Sequence, residues 1–202
     1  MRDLEIKQKE KAIFDGIFAL IKRGINPYTI KVSDITTEAG VGKGTLYEYF
    51  KTKEEAISKA ILHHIGQGLQ QALLAVKSQD SFQGKFEAIL LILARQAREN
   101  KDQCMLFSPM GDLQTFYQYL TTFEDYLQAN NRWIKQIYDD IFQAGEREGL
   151  IQPLDPQDDY YREMALLGAM AAFAHSLYRP LASLPLETAM AAAYRLLVKA
   201  LS

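Results

Sequence analysis

Residues 35–50 of this chain read ITTEAGVGKGTLYEYF, and they contain the strongest indication of the fold of the N-terminal part. Its apolar side chains fall where two short helices that cross at a tight turn would bury them together. Gly40 suits the turn, where a positive φ is expected. The spacing predicts a helix-turn-helix, with a second helix over 32–39 and a third that ends at Phe50. The small shared core would consist of Ile35, Ala39, Val41, Leu46 and Phe50.

Two glycines, Gly42 and Gly44, lie in a third helix of only about nine residues. Each glycine weakens a helix by roughly 1 kcal/mol relative to alanine. A helix whose backbone must press against another surface gains from missing side chains, and the groove of DNA is such a surface. Lysines and hydroxyl groups surround both glycines, and these groups contact phosphates and base edges. The stretch therefore predicts a recognition helix.

The rest of the chain is also patterned for helices. Apolar residues recur at helical spacing over 4–23, and Gly24 with Pro27 ends that helix. Thr52 and Glu55 predict a capping box, in which each side chain accepts the other residue's N–H, before a helix that runs to about Lys77. No strand has convincing alternation, so the predicted fold class is all-α. Further helices are predicted over 82–99, 103–107, 112–128, 131–148, 157–179 and 185–201.

The run AGVGKGTLYEYFKTKE, residues 39–54, resembles the recognition helix of the TetR family of bacterial transcription regulators and the start of its fourth helix. The resemblance covers about residues 5–60. It implies a helix-turn-helix DNA-binding domain at 1–52, joined by the fourth helix at about 53–77 to an effector-binding and dimerisation domain at 53–202. The chain departs from the family at Thr36, where alanine is frequent, and at Ile30-Lys31, where Thr-Ser is frequent.

The resemblance also implies which residues contact DNA. Lys43 and Gly44 would approach base edges in the major groove, and the hydroxyl-bearing residues beside them would contact phosphates or the floor of the groove. Lys53 would bind a phosphate at the positive N-terminus of the fourth helix. Lys31 or Ser33 could replace the usual phosphate contact at the start of the second helix. The expected DNA contacts are Lys31, Ser33, Lys43, Gly44, Thr45, Tyr47, Tyr49 and Lys53.

Small and apolar residues are concentrated on the last two predicted helices. They could form a face for a second copy of the chain, as the resemblance implies, or pack only within the chain. Symmetric half-sites in DNA require two heads, which favours a homodimer. The expected interface residues are Ala165, Gly168, Ala169, Ala172, Ala189, Ala193, Leu196 and Leu197.

Aromatic residues accumulate between positions 107 and 142. They could line an effector cavity, as the resemblance implies, or form ordinary helical core. Few charges fall on inward-facing positions, so a cavity would be mostly apolar and would favour a hydrophobic or aromatic effector. The expected lining residues are Phe107, Trp133, Ile137, Met170 and Phe173.

Other functional classes find little support in the sequence. The segment 42–45 lacks the upstream glycine and strand of a P-loop, and no nucleophile triad or metal-ligand spacing occurs, so no enzyme, cofactor or metal is expected. No apolar run is long enough to span a membrane, the charged residues 1–5 lead us to expect no signal peptide, and the single cysteine, Cys104, favours the cytoplasm. We expect a repressor that a small, largely apolar effector releases from a palindromic operator. The alternatives are a helical protein-interaction adaptor with a vestigial DNA head, or a helical enzyme.

Overall fold

The computed structural model describes residues 2–99, 123–152, 159–177 and 184–202. Within these ranges the chain forms eight α-helices and a single 3₁₀ turn and contains no strand, which confirms the all-α prediction. The predicted helix at 103–107 lies outside the described residues. The helices are α1 (Arg2–Lys22), α2 (Val32–Ala39), α3 (Lys43–Tyr49), α4 (Lys53–Lys77), α5 (Phe82–Glu99), α6 (Glu124–Arg147), α7 (Asp159–Leu177) and α8 (Leu186–Leu201), with the 3₁₀ turn η1 (Pro27–Thr29) before α2.

Helix α6 differs from the prediction, which placed a break between helices at 112–128 and 131–148. The described part is one continuous helix from Glu124 to Arg147. Asparagine has a low helix propensity, so the pair Asn130-Asn131 does not favour a continuous helix locally. Asn130 is instead buried, with 7 % of its surface exposed, and it donates to the main-chain oxygen of Leu62. This tertiary contact stabilises the helix where local propensity is weak.

The described chain folds as two compact units. The first contains residues 2–68 and 123–132, and the second contains 69–99, 133–152, 159–177 and 184–202. The division therefore falls within α4, after Gly68, and within α6, after Arg132. The first unit reaches well beyond the boundary at 52 that the sequence suggested, because the first half of α4 and the start of α6 pack with the N-terminal helices.

The first unit has its own apolar core, to which α1, α2, α3 and α4 all contribute. Helices α1 and α2 approach closely at Gly16, where an added Cβ would lie 3.0 Å from the backbone nitrogen of Ala39. The side chains of Phe123, Tyr126 and Leu127 pack against this core from outside the N-terminal segment. Its largest fully enclosed side chains are Ile13, Ile17, Ile30, Ile35, Leu46, Phe50 and Leu62.

The second unit is built around α5, part of α6, α7 and α8, whose apolar side chains share one core. Its largest fully enclosed side chains are Phe82, Phe86, Leu90, Ile141 and Leu166. The buried ammonium of Lys85, on α5, binds the last turn of α4, where Nζ donates to the Val76 carbonyl oxygen at 3.0 Å. Among the described residues, no helix is long and apolar enough to cross a membrane.

Candidate DNA interface and effector region

The turn between α2 and α3 has the geometry that the sequence predicts. Gly40 adopts a left-handed conformation, with φ 65° and ψ 31°, at the end of α2. Its N–H donates to the Thr37 carbonyl at 3.3 Å, and the Val41 N–H donates to the Thr36 carbonyl at 3.0 Å. These two bonds satisfy the last carbonyls of α2 and direct the chain into α3. Glycine is needed here because other residues are strained at this φ.

Helix α3 has one buried and one exposed face. Leu46 is fully buried, and Phe50 follows the helix at 1 % exposure. On the opposite side Lys43, Gly44, Tyr47 and Glu48 are exposed, and Tyr47 keeps 52 % of its surface accessible. The spacing of these four positions, at i, i+1, i+4 and i+5, forms a continuous surface along the helix.

The two other predicted hydroxyl contacts on α3 are less accessible. Thr45 is partly buried, and Tyr49 is partly buried and packs against the core of the first unit. The ring centroid of Tyr49 lies 6.2 Å from that of Phe50. Tyr47 is therefore the most accessible of the three hydroxyl-bearing residues of α3.

Packing within the chain does not require the two glycines of this region. A Cβ added at Gly42 or Gly44 would meet nothing within 4 Å, and neither glycine has a positive φ. An alanine at position 44 would suit the helix better than glycine by roughly 1 kcal/mol. The missing side chains leave the backbone of α3 open to an outside surface.

At the start of α4, one of the two hydrogen bonds of the predicted capping box is present and the other has a different donor. The Glu55 N–H donates to Thr52 Oγ1 at 3.0 Å. The Glu55 carboxylate accepts from the Lys51 N–H at 2.7 Å, rather than from the Thr52 N–H. The Lys59 ammonium, 2.7 Å away, and then the Lys51 N–H hold the pKa of Glu55 below its ordinary value, although burial opposes them. This network fixes the turn that presents Lys53.

The remaining predicted cations and hydroxyls surround the same motif. Lys31 and Ser33 are exposed, and the Lys31 N–H donates to Asp34 Oδ2 at 2.9 Å, which orders the first turn of α2. Lys53 is partly buried, with 24 % of its side chain exposed, and its ammonium lies 3.6 Å from Glu54 Oε1.

A bidentate ion pair joins the end of α1 to the end of α2. Arg23 Nη1 lies 3.0 Å from Glu38 Oε1, and the second guanidinium nitrogen binds the other carboxylate oxygen. The hydrogen bond from Arg23 lowers the pKa of Glu38. Together with the turn at Gly40, this pair holds α2 against α1 on the outside of the motif.

The sequence did not reveal a further contact with this motif, made by residues 123–132. The ammonium of Lys59 lies 5.2 Å from the ring centroid of Phe123 and 5.9 Å from that of Phe50. Tyr126 and Leu127 pack against the same core. The hydrophobic pattern of 123–127 is the only local signal of this contact, and it does not indicate which core receives these residues.

The predicted effector residues lie in the core of the second unit. Ile137 and Phe173 are buried at 4 % and 2 % exposure, and Trp133 and Met170 are partly buried against the same cluster. Phe107 lies outside the described residues. The structure therefore brings four of the five residues together in one apolar cluster. Ile137 and Phe173 are so deeply buried that a ligand could reach them only if the core opened.

A cleft of about 190 Å³ opens between α6 and α7 in the second unit. It is lined mainly by polar and charged side chains, including Lys135, Asp139 and Glu163. Arg162 at its wall is already engaged, since it pairs with Glu146 at 2.7 Å and donates to the Gln152 carbonyl at 2.6 Å. Of the predicted effector residues that the structure describes, Trp133, Ile137, Met170 and Phe173, none lines this cleft.

The predicted interface residues divide into two groups. Four of them lie in the core of the single chain, with 0–7 % of their surface exposed: Ala169, Ala189, Ala193 and Leu197. Because these side chains are mostly small, α7 and α8 can pack closely against each other within the chain. Gly168, Ala172 and Leu196 are exposed, and Ala165 is partly buried.

The exposed recognition helix, its glycines, and the lysines and hydroxyls around it define the N-terminal unit as a helix-turn-helix DNA-binding domain of a transcription regulator. Residues 19–59 match the sequence profile of the bacterial regulatory proteins of the tetR family. This match includes residues 39–54 and confirms their resemblance to the TetR family of transcription regulators. No curated protein sequence matches the chain.

Solved structures with the same fold cover nearly the whole chain. A TetR-family regulator from Vibrio parahaemolyticus has a TM-score of 0.65 at 18 % identity, over 96 % of this chain and 98 % of that one. The fatty acid degradation regulator FadR from Bacillus halodurans has a TM-score of 0.66 at 14 % identity, over 94 % of both chains. FadR from Bacillus subtilis, in complex with stearoyl-CoA, has a TM-score of 0.63 at 19 % identity, over 97 % and 99 %.

Proposed function

We propose that this protein is a homodimeric repressor that binds a palindromic operator and is released from it by a small, largely apolar effector. The observation that carries the DNA-binding part is the exposed face of α3 together with two glycines that packing within the chain does not require, Gly42 at the N-cap of the helix and Gly44 inside it. A protein that reads bacterial DNA works in the cytoplasm, and we place it there. Regulation of this kind requires no catalytic group.

Base edges and phosphates would be contacted by different residues. Lys43 and Gly44 begin the exposed face of α3, and the N-terminal residues of a recognition helix are those that contact bases. Tyr47 extends that face with a hydroxyl donor. Lys53 stands at the start of α4, where the helix N-terminus also favours an anion. Lys31 and Ser33, both exposed at the start of α2, would bind a phosphate on the other side of the motif.

The proposed dimer interface is the exposed apolar face of α7 and α8. Met164 and Leu167 on α7 are 53 % and 47 % exposed, and Leu196 on α8 is 49 % exposed. Gly168 and Ala172 continue this face, and small residues there allow close approach of a second copy. A two-fold dimer places two recognition helices for half-sites one helical turn apart, about 34–36 Å, which makes a palindromic operator the expected target.

The effector would act on the DNA-binding first unit through two helices. Helices α4 and α6 each have one end in the first unit and the other in the second. The start of α6 is attached to the head through Phe123, Tyr126 and Leu127. A ligand that binds better when these helices are displaced would lower DNA affinity, and DNA would lower ligand affinity by the same factor.

An apolar effector is supported by the composition of the second unit. Trp133 and Met170 are the predicted lining residues that remain partly accessible, and they adjoin a wholly apolar cluster. Among the structural neighbours, FadR from Bacillus subtilis binds stearoyl-CoA, which carries a long acyl chain. A fatty acyl chain is accordingly the first effector class to test.

Selection of binding sites from a random pool of duplex DNA tests the proposal. The wild-type protein should select a two-fold symmetric motif. Tyr47→Ala should then weaken binding to the selected site while leaving the circular dichroism spectrum and the thermal midpoint unchanged, because Tyr47 is exposed. Lys53→Ala should lower the slope of log affinity against log salt by about 1, whereas Lys77→Ala, an exposed lysine at the far end of α4, should not. Absence of any selected motif would contradict the proposal.

A further inference from the structure

Glu48 is an acidic residue on the face of α3 that otherwise carries the features of a DNA-reading surface. It is exposed, it follows Tyr47, and it lies one helical turn after Gly44. No cation among the described residues pairs with it, whereas Glu38 is bound by Arg23 and Glu55 by Lys59. The carboxylate of Glu48 is therefore available to an outside partner.

The position of Glu48 in its helix does not favour the fold. It stands in the last turn of α3, where the partial negative charge of the helix C-terminus repels an acidic side chain. Glu48 therefore contributes neither packing nor an ion pair to the protomer, and its charge is unfavourable at this end of the helix. Such local inconsistencies are expected at functional sites. Gly44 is a second residue of this kind on the same face.

The geometry of α3 would carry Glu48 into the groove together with its neighbours. The helix has seven residues and is about 10 Å long, which fits within a major groove about 12 Å wide. Side chains on a helix lean towards its N-terminus, so that of Glu48 leans over the turn that contains Gly44. Gly44 has no side chain, and a Cβ there would meet nothing within 4 Å. The carboxylate thus has free access to base edges.

The chemistry of a carboxylate limits what it can contact in DNA. Phosphate oxygens repel it, so unlike a lysine or a hydroxyl it cannot bind the backbone. In the major groove the only hydrogen-bond donors are the N4 amino group of cytosine and the N6 amino group of adenine. Adenine also presents the N7 acceptor beside its amino group, which repels a carboxylate. Cytosine presents a C–H group there, and guanine and thymine present acceptors.

We propose that Glu48 is a specificity-determining residue, which accepts a hydrogen bond from the N4 amino group of a cytosine in each half-site and excludes guanine and thymine from that position. This inference rests on the proposed function, since it requires that α3 enter the major groove. It adds a selective contact to the affinity that the surrounding lysines and hydroxyls provide. A carboxylate at this position also lowers affinity for every sequence that does not offer the amino group.

Site selection with two variants tests the inference. Wild type, Glu48→Ala and Glu48→Gln are each used to select sites from the same random duplex pool. The wild-type motif should contain one cytosine per half-site that Glu48→Ala no longer selects. Glu48→Gln should select adenine at that position, because glutamine binds the N6 and N7 groups of adenine together. Replacing the cytosine in the wild-type site should weaken wild-type binding about 5- to 100-fold and Glu48→Ala binding less than twofold.

A matched control separates this contact from a general change of charge. Glu124→Gln removes an exposed carboxylate at the start of α6 and should leave the selected motif unchanged. If both Glu48 variants select the wild-type motif, the inference is overturned while the proposed DNA binding stands. If the wild-type protein selects no motif, the proposed function fails and this inference fails with it. A thermal midpoint equal to that of wild type establishes that each variant is folded.

Discussion

The side-chain amide of Asn130 donates a hydrogen bond to the main-chain carbonyl oxygen of Leu62 at 3.2 Å, although 68 residues separate them in sequence. The other amide atom, Oδ1, lies 2.8 Å from where a Cβ at Gly66 would stand. Asn130 thus contacts two positions one turn apart on α4. This contact joins α6 to α4 within the first unit, close to where both helices leave it.

Gly66→Ala should destabilise the protein by about 1–3 kcal/mol, because the new methyl group displaces the buried Asn130 side chain. In an Asn130→Ala background the same change should stabilise it by up to about 1 kcal/mol, since the clash is gone and alanine favours the helix. Urea denaturation of the four proteins of this cycle measures the reversal of sign. Gly68→Ala is the control, because a Cβ at Gly68 meets nothing within 4 Å, and it should stabilise both backgrounds alike.

Gly44→Ala should separate stability from DNA binding. The added methyl group has open space and favours helix α3, so the free energy of unfolding should rise by up to about 1 kcal/mol. The same methyl group would lie between the backbone and the bases, and affinity for the selected operator should fall at least tenfold, by about 1.4 kcal/mol or more. Denaturation and gel-shift titration of the same preparation give both quantities. A stabilised variant with unchanged operator affinity would contradict the assignment of α3 as the helix that approaches the bases.

Thr52→Ala should destabilise the first unit by about 1 kcal/mol, because the Glu55 N–H loses its acceptor at the start of α4. Thr52→Ser keeps a hydroxyl oxygen at the cap and should restore most of the loss. Thermal unfolding of the two variants measures the effect. Equal destabilisation by alanine and serine would show that the methyl group of Thr52, and not its hydroxyl, stabilises the helix start.

Stability of the first unit should fall as the pH drops below about 6.5, because of His64. Burial, and then the neighbouring His63, lower the pKa of His64 from its ordinary value of 6.5, although Asp15 partly opposes this. Its ring stacks on that of Phe18, with centroids 3.8 Å apart. The unfolded chain therefore binds a proton before the folded chain does, and protonation favours unfolding.

The measurement is the urea midpoint at pH 7.5 and at pH 5.5 for the wild type and for His64→Gln. Glutamine does not titrate, so the variant should lose part of the wild-type decrease. A variant with the full wild-type decrease would assign the pH dependence to other groups.

Leu167→Arg should convert the proposed dimer into a monomer without unfolding the protomer, because Leu167 is 47 % exposed in the single chain. A charge buried at an interface between two copies is strongly unfavourable. Sedimentation equilibrium measures the molecular mass, and operator affinity should fall with it. Leu91→Arg is the matched control, since Leu91 is 51 % exposed on α5, outside the proposed face. A Leu167→Arg protein that remains dimeric would place the interface elsewhere.

The helix-turn-helix, the end of α2 at Gly40 and the cap of α4 at Thr52 could all be predicted from the sequence. These features depend on interactions over three to five residues: a left-handed glycine, a hydroxyl that accepts a nearby N–H, and apolar side chains spaced to meet across one turn. The sequence also singled out the residues of α3 whose chemistry suits DNA, because glycine inside a short helix is costly wherever it occurs. One half of the predicted capping box was wrong by one residue, because the Glu55 carboxylate accepts from the Lys51 N–H and not from the Thr52 N–H.

Tertiary structure alone decided which of several apolar faces is buried. Helices α7 and α8 carry small or apolar residues on most sides, so the pattern could not indicate that Ala169 and Ala193 face the protomer core while Leu167 and Leu196 remain exposed. Tertiary contacts also explain why α6 continues through Asn130 and why Phe123 packs against the core of the first unit. In each case the stabilising partner lies tens of residues away in sequence, and only packing in the folded chain brings it into contact.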